Sequence, residues 1–311
     1  MSEWVFANGR PNEVQTEVIL QEVLRPVKES LWLLMDLALM DHAAVASFAR
    51  HAGIGLKNAF AGSGLAAFGD KAPHFVKLPD DAASRHAIAR KFIRLAGNAT
   101  AMSWLRSEKP ERMLQEIFAY LAEVRVEERR MPIHCRFADT RVLPELLQVL
   151  SVEQRRRVKC VVESWSWIGR TGELRSWGGG SEGPGEKDES PVLRLSIEQF
   201  RRMQRAAEPD AVFLMLSQKT PEIVPQSEYG GFHARLCGLL DAADGFGVKA
   251  AKDRLQFVVL GLTCGEDFHA VPELQPTWRL VSGQGASLHD LMQGWSDSLW
   301  QRLDARNGKN G

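Results

Sequence analysis

The sequence lacks a surplus of charge of either sign. Its 311 residues include 39 Lys and Arg and 39 Asp and Glu, so the formal net charge is zero. A dedicated nucleic-acid binder needs a clustered basic surplus to neutralise phosphates. The balance therefore argues against nucleic acid as the partner.

Long hydrophobic runs and an export signal are also lacking. The most apolar run, Leu31–Met40, is interrupted by Asp36 and is far shorter than the roughly 20 residues that a bilayer span requires. Met1–Asn12 has neither a basic leader with an apolar core nor a small-residue cleavage site. We therefore expect a cytoplasmic protein without a membrane span.

Cysteine is scarce, and the cysteines do not occur at the short paired spacings of metal-binding or disulfide motifs. The four cysteines are Cys135, Cys160, Cys237 and Cys264. Scattered cysteines of this kind predict reduced and mostly buried thiols instead of a disulfide framework.

Short β-rich runs alternate with helical patterns over the first half of the chain. The predicted strands are Leu31–Leu39, Phe75–Leu78, Thr100–Leu105, Ile133–Phe137 and Val158–Ile168. The predicted helices between them are His42–His51, Ala82–Ala96 and Pro110–Val126. Alternation of this kind predicts an α/β fold, with a small mostly parallel sheet flanked by helices.

A change of pattern after the last strand predicts a second lobe. We expect an α/β lobe over residues 1–175 and a flexible linker or loop over 176–191, because glycine and charge dominate there. A smaller helical lobe follows over 192–280, and an amphipathic helix and tail over 281–311.

Strings that resemble catalytic motifs fail on their context. Gly179–Gly183 spells the G-x-S-x-G of a nucleophile elbow around Ser181, but it lies inside the glycine-rich segment, where no base or oxyanion donor is fixed. Gly62–Ala67 fits a loose dinucleotide fingerprint but follows no strand. We therefore predict no catalytic residue and no cofactor.

Metal-ligating and phosphate-binding patterns are equally weak. His134 and Cys135 are neighbours on a predicted strand and point to opposite faces. Cys264 and His269 form a pair without the third and fourth ligands that zinc usually needs. The basic run at residues 155–159 is most simply a solvated helix end. We therefore predict no metal site.

Apolar side chains at two places are candidates for binding a partner. Trp165 and Trp167 share one face of the last strand, where core packing is the default and an exposed partner-binding face is the alternative. The tail after Gly285 carries an apolar stripe that must dock on its own lobe or on a partner. The residues of this stripe are Leu288, Leu291, Met292, Trp295, Leu299 and Leu303.

A short acidic and basic motif follows the fourth predicted strand. Arg136 ends the strand, and Asp139 can cap the next turn and pair with Arg136 or Arg141. The pattern predicts a structural ion pair among these three residues.

Several sequence blocks, in this order, resemble the Tap or TEC family of type VI secretion chaperones and adaptors, long described as a domain of unknown function. The resemblance runs from Leu31 to about Trp278. Its blocks are Leu31–Asp36, Ala72–Leu78, Ala101–Ser107 and Cys135–Leu150. The chain departs from the family at Ala138, where an aromatic residue is usual, and at Thr140, where proline is usual.

The resemblance implies a function without catalysis. Family members are adaptors that hold a segment of an effector protein and hand it to the VgrG spike. We therefore expect a cytoplasmic adaptor with an effector and VgrG as partners. The alternative is a cytosolic α/β hydrolase or nucleotide-binding enzyme that uses Cys135 or His134.

Overall fold

The computed structural model describes residues 7–97, 99–127, 129–179, 182–183 and 185–307. The chain divides into two compact units. The first unit is Asn8–Ala207, and the second comprises Glu208–Gly311 with Met1–Ala7. Within the described ranges, no helix combines the length and the apolar character that crossing a membrane requires.

The first unit contains both helices and strands. Its helices are α1 (Glu13–Val23), α2 (His42–His51), α3 (Ala82–Ala96), α4 (Glu111–Ala122), α5 (Leu143–Val149), α6 (Val152–Lys159) and the start of α7 (Ile197–Lys219). Its strands are β1 (Ser30–Met35), β2 (Lys57–Asn58), β3 (His74–Lys77), β4 (Met102–Ser107), β5 (Glu123–Val126), β6 (Ile133–His134), β7 (Ser164–Ile168), β8 (Leu174–Gly178) and β9 (Leu193–Leu195).

The main sheet is antiparallel. Its six strands follow the order β2-β3-β1-β4-β7-β8, and every neighbouring pair is antiparallel. The prediction of a mostly parallel sheet was therefore wrong. Strands β3 and β4 both pair with β1, and α3 connects them across it, so helices alternate with strands although no two neighbours run parallel.

A second, three-stranded sheet has the order β6-β5-β9. Strands β5 and β9 run parallel, whereas β5 and β6 are antiparallel. The predicted helix Pro110–Val126 ends early, at Ala122, because Val124 and Val126 are buried while Arg125 is exposed. This period-two alternation is that of a strand, and it starts directly at the end of the helix.

Alternating side chains of the main sheet supply two hydrophobic cores, one on each face. Leu33 and Trp104 belong to one core, and their neighbours Leu34 and Leu105 belong to the other. Adjacent residues of a strand point to opposite faces, so a sheet covered on both sides produces the near-continuous apolar runs seen in the sequence. The sheet is therefore the framework on which the rest of the first unit packs.

The border between the compact units differs from the predicted linker. It falls after Ala207, inside α7, whereas the sequence predicted it at residues 176–191. Strands β8 and β9 flank the glycine-rich segment and both belong to sheets of the first unit. A segment rich in glycine and charged residues has few apolar side chains to bury. That composition does not show where a compact unit of the fold ends.

The second unit is helical in its described residues. Its helices are the remainder of α7, α8 (Tyr229–Gly245), α9 (Ala251–Cys264), α10 (Gln275–Gln284), α11 (Leu288–Met292) and α12 (Asp297–Asn307). Arg254 lies buried in this unit and donates to Glu208, Asp244 and the Val248 carbonyl. This network joins α7, α8 and α9.

The predicted tail helix is two helices, α11 and α12, with a break between them. Leu288, Leu299 and Leu303 are buried in the core of the second unit. The half-buried members of the predicted stripe pack against the same core; they are Leu291, Met292 and Trp295. The tail therefore docks within its own unit, so its apolar stripe is not an open surface.

Truncation of the buried tail residue Leu303 to alanine should destabilise the second unit. Leu303 has no exposed surface, so Leu303→Ala leaves a cavity and is expected to cost about 2 to 5 kcal/mol of unfolding free energy. Leu214 on α7 is 50% exposed, and Leu214→Ala is expected to change stability by about 0.5 kcal/mol or less. Urea unfolding of both variants, followed by circular dichroism, measures the difference. Equal stabilities would contradict docking of the tail.

Candidate functional site

A buried carboxylate marks the end of β1 in the main sheet. Asp36 directly follows the strand and is 3% exposed. Its backbone N–H donates to the Ala101 carbonyl at 2.8 Å. Its carboxylate accepts from the Ala38 N–H at 3.1 Å and from Arg136 Nη2 at 2.8 Å. The contact with Arg136 ties the end of β1 to the segment 133–141.

A second buried carboxylate holds the same segment from within. Asp139 is 2% exposed and accepts from the Arg141 N–H at 2.9 Å. The Arg141 guanidinium also donates to it through Nε at 3.0 Å and through Nη2 at 2.6 Å. The next backbone N–H, that of Thr140, donates to the Thr100 carbonyl at 2.9 Å. Segment 133–141 is therefore fixed to the turn before β4.

Of the two partners predicted for Asp139, the structure pairs it with Arg141, while Arg136 has a different partner. Asp139 pairs with Arg141, whereas Arg136 pairs with Asp36, which lies 100 residues earlier in the chain. Spacing indicated both Arg136 and Arg141 as partners of Asp139, because it reveals only partners that are close in the chain. A signal for Asp36 was nevertheless present, since it is the one charged residue that interrupts the apolar run Leu31–Met40.

An exposed aromatic side chain lies beside this network. Phe68 is 42% exposed and stacks on the His134 ring, with 4.7 Å between ring centroids and 27° between planes. Phe60, which is buried, meets the same imidazole edge-on at 5.8 Å. The Arg136 side chain is also 42% exposed. We call Phe68, His134 and Arg136 the Phe68 surface.

Burial sets the protonation of the groups at this surface. It lowers the pKa of His134, and the nearby charge of Arg136 lowers it further, so the imidazole is neutral at pH 7. Burial also raises the pKa of the Cys135 thiol to about 12. The thiol is therefore protonated at neutral pH and is a poor nucleophile. The surface presents an aromatic ring, a neutral imidazole and one cation.

Metal ligation finds no support among the residues that the structure describes. No group of three or more His, Cys, Asp or Glu side chains is placed there to hold an ion. Cys264 is buried with its thiol 3.6 Å from the Thr263 hydroxyl, and the His269 ring packs against the rings of Phe246 and Phe257. Ser181 of the apparent nucleophile elbow lies outside the described residues.

The paired tryptophans of β7 belong to a core. Trp165 has no exposed surface, and its indole N–H donates to the Ser103 hydroxyl at 2.9 Å. Trp167 is 6% exposed and packs in the same core. Their shared face is thus the covered face, which removes both indoles from the exposed surface. The Phe68 surface, which the sequence analysis missed, offers the exposed aromatic group instead.

A comparison with known families matches the part of the chain that holds this site. Residues 31–157 match the model of a family described as "Domain of unknown function (DUF4123)". The matched stretch is less than half of the chain and includes Asp36, Phe68 and the segment 133–141. Neither a curated protein nor a solved structure matches the chain.

Removal of the Asp139 carboxylate should unfold the first unit more easily. Asp139→Ala removes the buried carboxylate that pairs with the Arg141 guanidinium, whose side chain is 17% exposed, and is expected to cost about 3 to 5 kcal/mol. Asp80 is exposed, and Asp80→Ala removes the same charge with an expected change of about 0.5 kcal/mol or less. Chemical denaturation of both variants makes the comparison. An Asp139→Ala protein as stable as the control would show that the pair contributes nothing.

Substitution of Asp36 should change how stability depends on pH. Burial raises the pKa of Asp36 above its ordinary value of 3.8, although Arg136 opposes the shift. The stability that such a carboxyl contributes is present below the ordinary pKa and is lost as pH rises through the raised one. Asp36→Asn should therefore gain stability relative to the wild-type protein as the pH rises above the ordinary pKa of 3.8. Urea unfolding at each pH tests this, and a constant difference would contradict it.

Proposed function

We propose that this chain is a cytoplasmic adaptor of type VI secretion, which binds an effector protein and helps to load it onto the VgrG spike. The observation that carries the proposal is the family match over residues 31–157. The same stretch holds all four sequence blocks that resemble the Tap or TEC adaptors. The effector and VgrG are the partners that this resemblance implies.

The chemistry of the Phe68 surface supports a role in binding a protein. An exposed aromatic ring beside an arginine is the composition that is enriched where interfaces carry most of their binding energy. Arg136 is held by Asp36, and His134 is held between Phe60 and Phe68. A surface whose side chains are already ordered loses less conformational entropy when a partner binds.

We propose a function without catalysis. The enzyme alternative relied on Cys135 or His134. Cys135 is 7% exposed and its raised pKa keeps the thiol protonated, while His134 stacks on Phe68. A nucleophile needs a lowered pKa or an adjacent base. The surroundings of these two residues therefore favour packing and recognition over chemistry.

The adaptor and enzyme proposals predict different behaviour during purification. The tagged full-length protein, produced in its own cell under secreting conditions, should co-purify with an effector and with VgrG in amounts close to equimolar. Mass spectrometry identifies the captured proteins. Purification without either partner, together with turnover of a substrate that Cys135→Ala abolishes, would overturn the adaptor proposal.

The Phe68 surface should be needed for effector capture. Phe68→Ala removes the exposed ring and is expected to weaken capture of the co-purified effector by about tenfold or more, because interface aromatics are frequent hot spots. Val14 on α1 is 74% exposed, and Val14→Ala serves as the control with unchanged capture.

Melting temperatures of both variants separate a binding defect from loss of folded protein. Normal capture by a folded Phe68→Ala protein would exclude the Phe68 surface as the binding site, while the co-purification result would still decide the adaptor role itself.

A further inference from the structure

The basic side of α6 is covered by a segment of the same chain. We call residues 179–190 the strap; its described residues are 179, 182–183 and 185–190. The Glu182 carboxylate accepts from Arg155 Nε at 3.2 Å and from Lys159 Nζ at 3.0 Å. The Glu182 side chain is 18% exposed. The Glu182 carboxylate thus neutralises Arg155 and Lys159, two cations that were predicted to be solvated.

Main-chain carbonyls of the strap supply further acceptors for α6. Arg156 donates to the carbonyls of Glu182 and Glu186, both at 3.1 Å. Arg157 donates to the carbonyls of Asp188, at 3.2 Å, and of Ser190. Arg156 and Arg157 together donate to four main-chain carbonyls of the strap, so both contact its backbone.

Glycine allows the close approach of the strap to α6. A Cβ atom at position 185 would lie 2.5 Å from the Arg156 guanidinium, so a larger residue would displace that side chain. Gly185 also has a φ of 157°, which side-chain-bearing residues rarely adopt. The segment is therefore shaped to fit the basic helix.

Although it fits, the strap has little apolar surface to bury. The twelve residues 179–190 include four acidic side chains and one lysine, and proline is their only apolar residue besides glycine. A cavity of about 940 Å³ lies beside the segment, lined by Arg156, Lys159, Cys160 and Glu163 on the α6 side. Charge and hydrogen bonds hold the strap, one of them from the buried Tyr120 hydroxyl to the Asp188 carboxylate at 2.6 Å, while apolar burial contributes little.

We propose that the basic side of α6 is a binding site for an acidic, extended segment of a partner protein, and that the strap is an internal stand-in which this segment displaces. If the adaptor function is right, the partner is the effector, so this identity rests on the proposed function. A tethered stand-in acts at an effective concentration of the order of millimolar. A partner therefore displaces the strap only if its acidic segment binds α6 more tightly, or if a second contact also holds the partner on this protein.

The test uses the strap sequence as a free ligand. A fluorescent peptide with the sequence of residues 179–190 is titrated by anisotropy against the full-length protein and two variants. Glu182→Gln weakens the tethered strap by removing both ion pairs, whereas Glu186→Gln makes the same chemical change at a side chain outside these pairs. We expect the peptide to bind Glu182→Gln about fivefold more tightly than either of the other two proteins.

Two additional proteins and one competitor complete the design. Adding Arg155→Gln to Glu182→Gln should weaken peptide binding by about fivefold, because the free peptide loses the same ion pair. Arg112→Gln in the same background is the matched control, since Arg112 lies on the exposed side of α4 and pairs only with Glu116 among the described residues. An oligonucleotide of twelve thymidines should compete more weakly than unlabelled peptide.

Three outcomes would overturn the inference. The peptide binds none of the proteins, or it binds all of them with equal affinity, or the oligonucleotide competes better than the peptide. Circular dichroism confirms that each variant is folded before titration. No effector or VgrG enters the assay, so its failure would leave the adaptor proposal standing, and failure of co-purification would leave the strap result intact.

Discussion

Two buried carboxylates at one end of the main sheet determine where the candidate site lies. Asp36 and Asp139 are almost fully buried, and a buried charge is tolerated only when it is paired and hydrogen-bonded. Asp36 finds its partner in Arg136, and Asp139 finds its partner in Arg141. The Asp36–Arg136 pair ties the segment 133–141 to the end of β1, and the Asp139–Arg141 pair holds the segment from within. His134 at its start is thereby brought to Phe68.

Local structure was predictable from the sequence where local interactions decide it. The predicted helices His42–His51 and Ala82–Ala96 are confirmed with those bounds, and Asp41 and Asp81 cap them. Ser151 and Gln154 form a capping box at the start of α6, which is another local interaction between residues three apart. Strand direction was not predictable in the same way, because periodicity reports which face is buried and carries no information on which neighbour a strand joins. The antiparallel order is set by contacts between distant segments.

Prediction of the site failed for a related reason. The Asp139 and Arg141 pair is formed by residues two apart and could be read from the motif, whereas the Asp36 and Arg136 pair spans 100 residues. Trp165 and Trp167 share a face, as alternation predicts. Side chains of α4 such as Phe118 cover that face, and this tertiary packing cannot be read from alternation. Phe68 carried no signal, since a single phenylalanine in the short 3-10 helix Ala66–Lys71 has no periodicity to interpret.

Different forces hold the tail and the strap, the two segments for which the sequence predicted no definite packing partner. Burying one Leu side chain contributes about 1.5 to 3 kcal/mol, so the buried leucines of the tail anchor it firmly within the second unit. An ion pair near the surface contributes about 1 kcal/mol or less, and salt screens it. Glu182 with Arg155 and Lys159 is such a case. A segment held mainly by charge can exchange with a partner without loss of the core, which makes the strap, and not the tail, the part of this chain suited to reversible recognition.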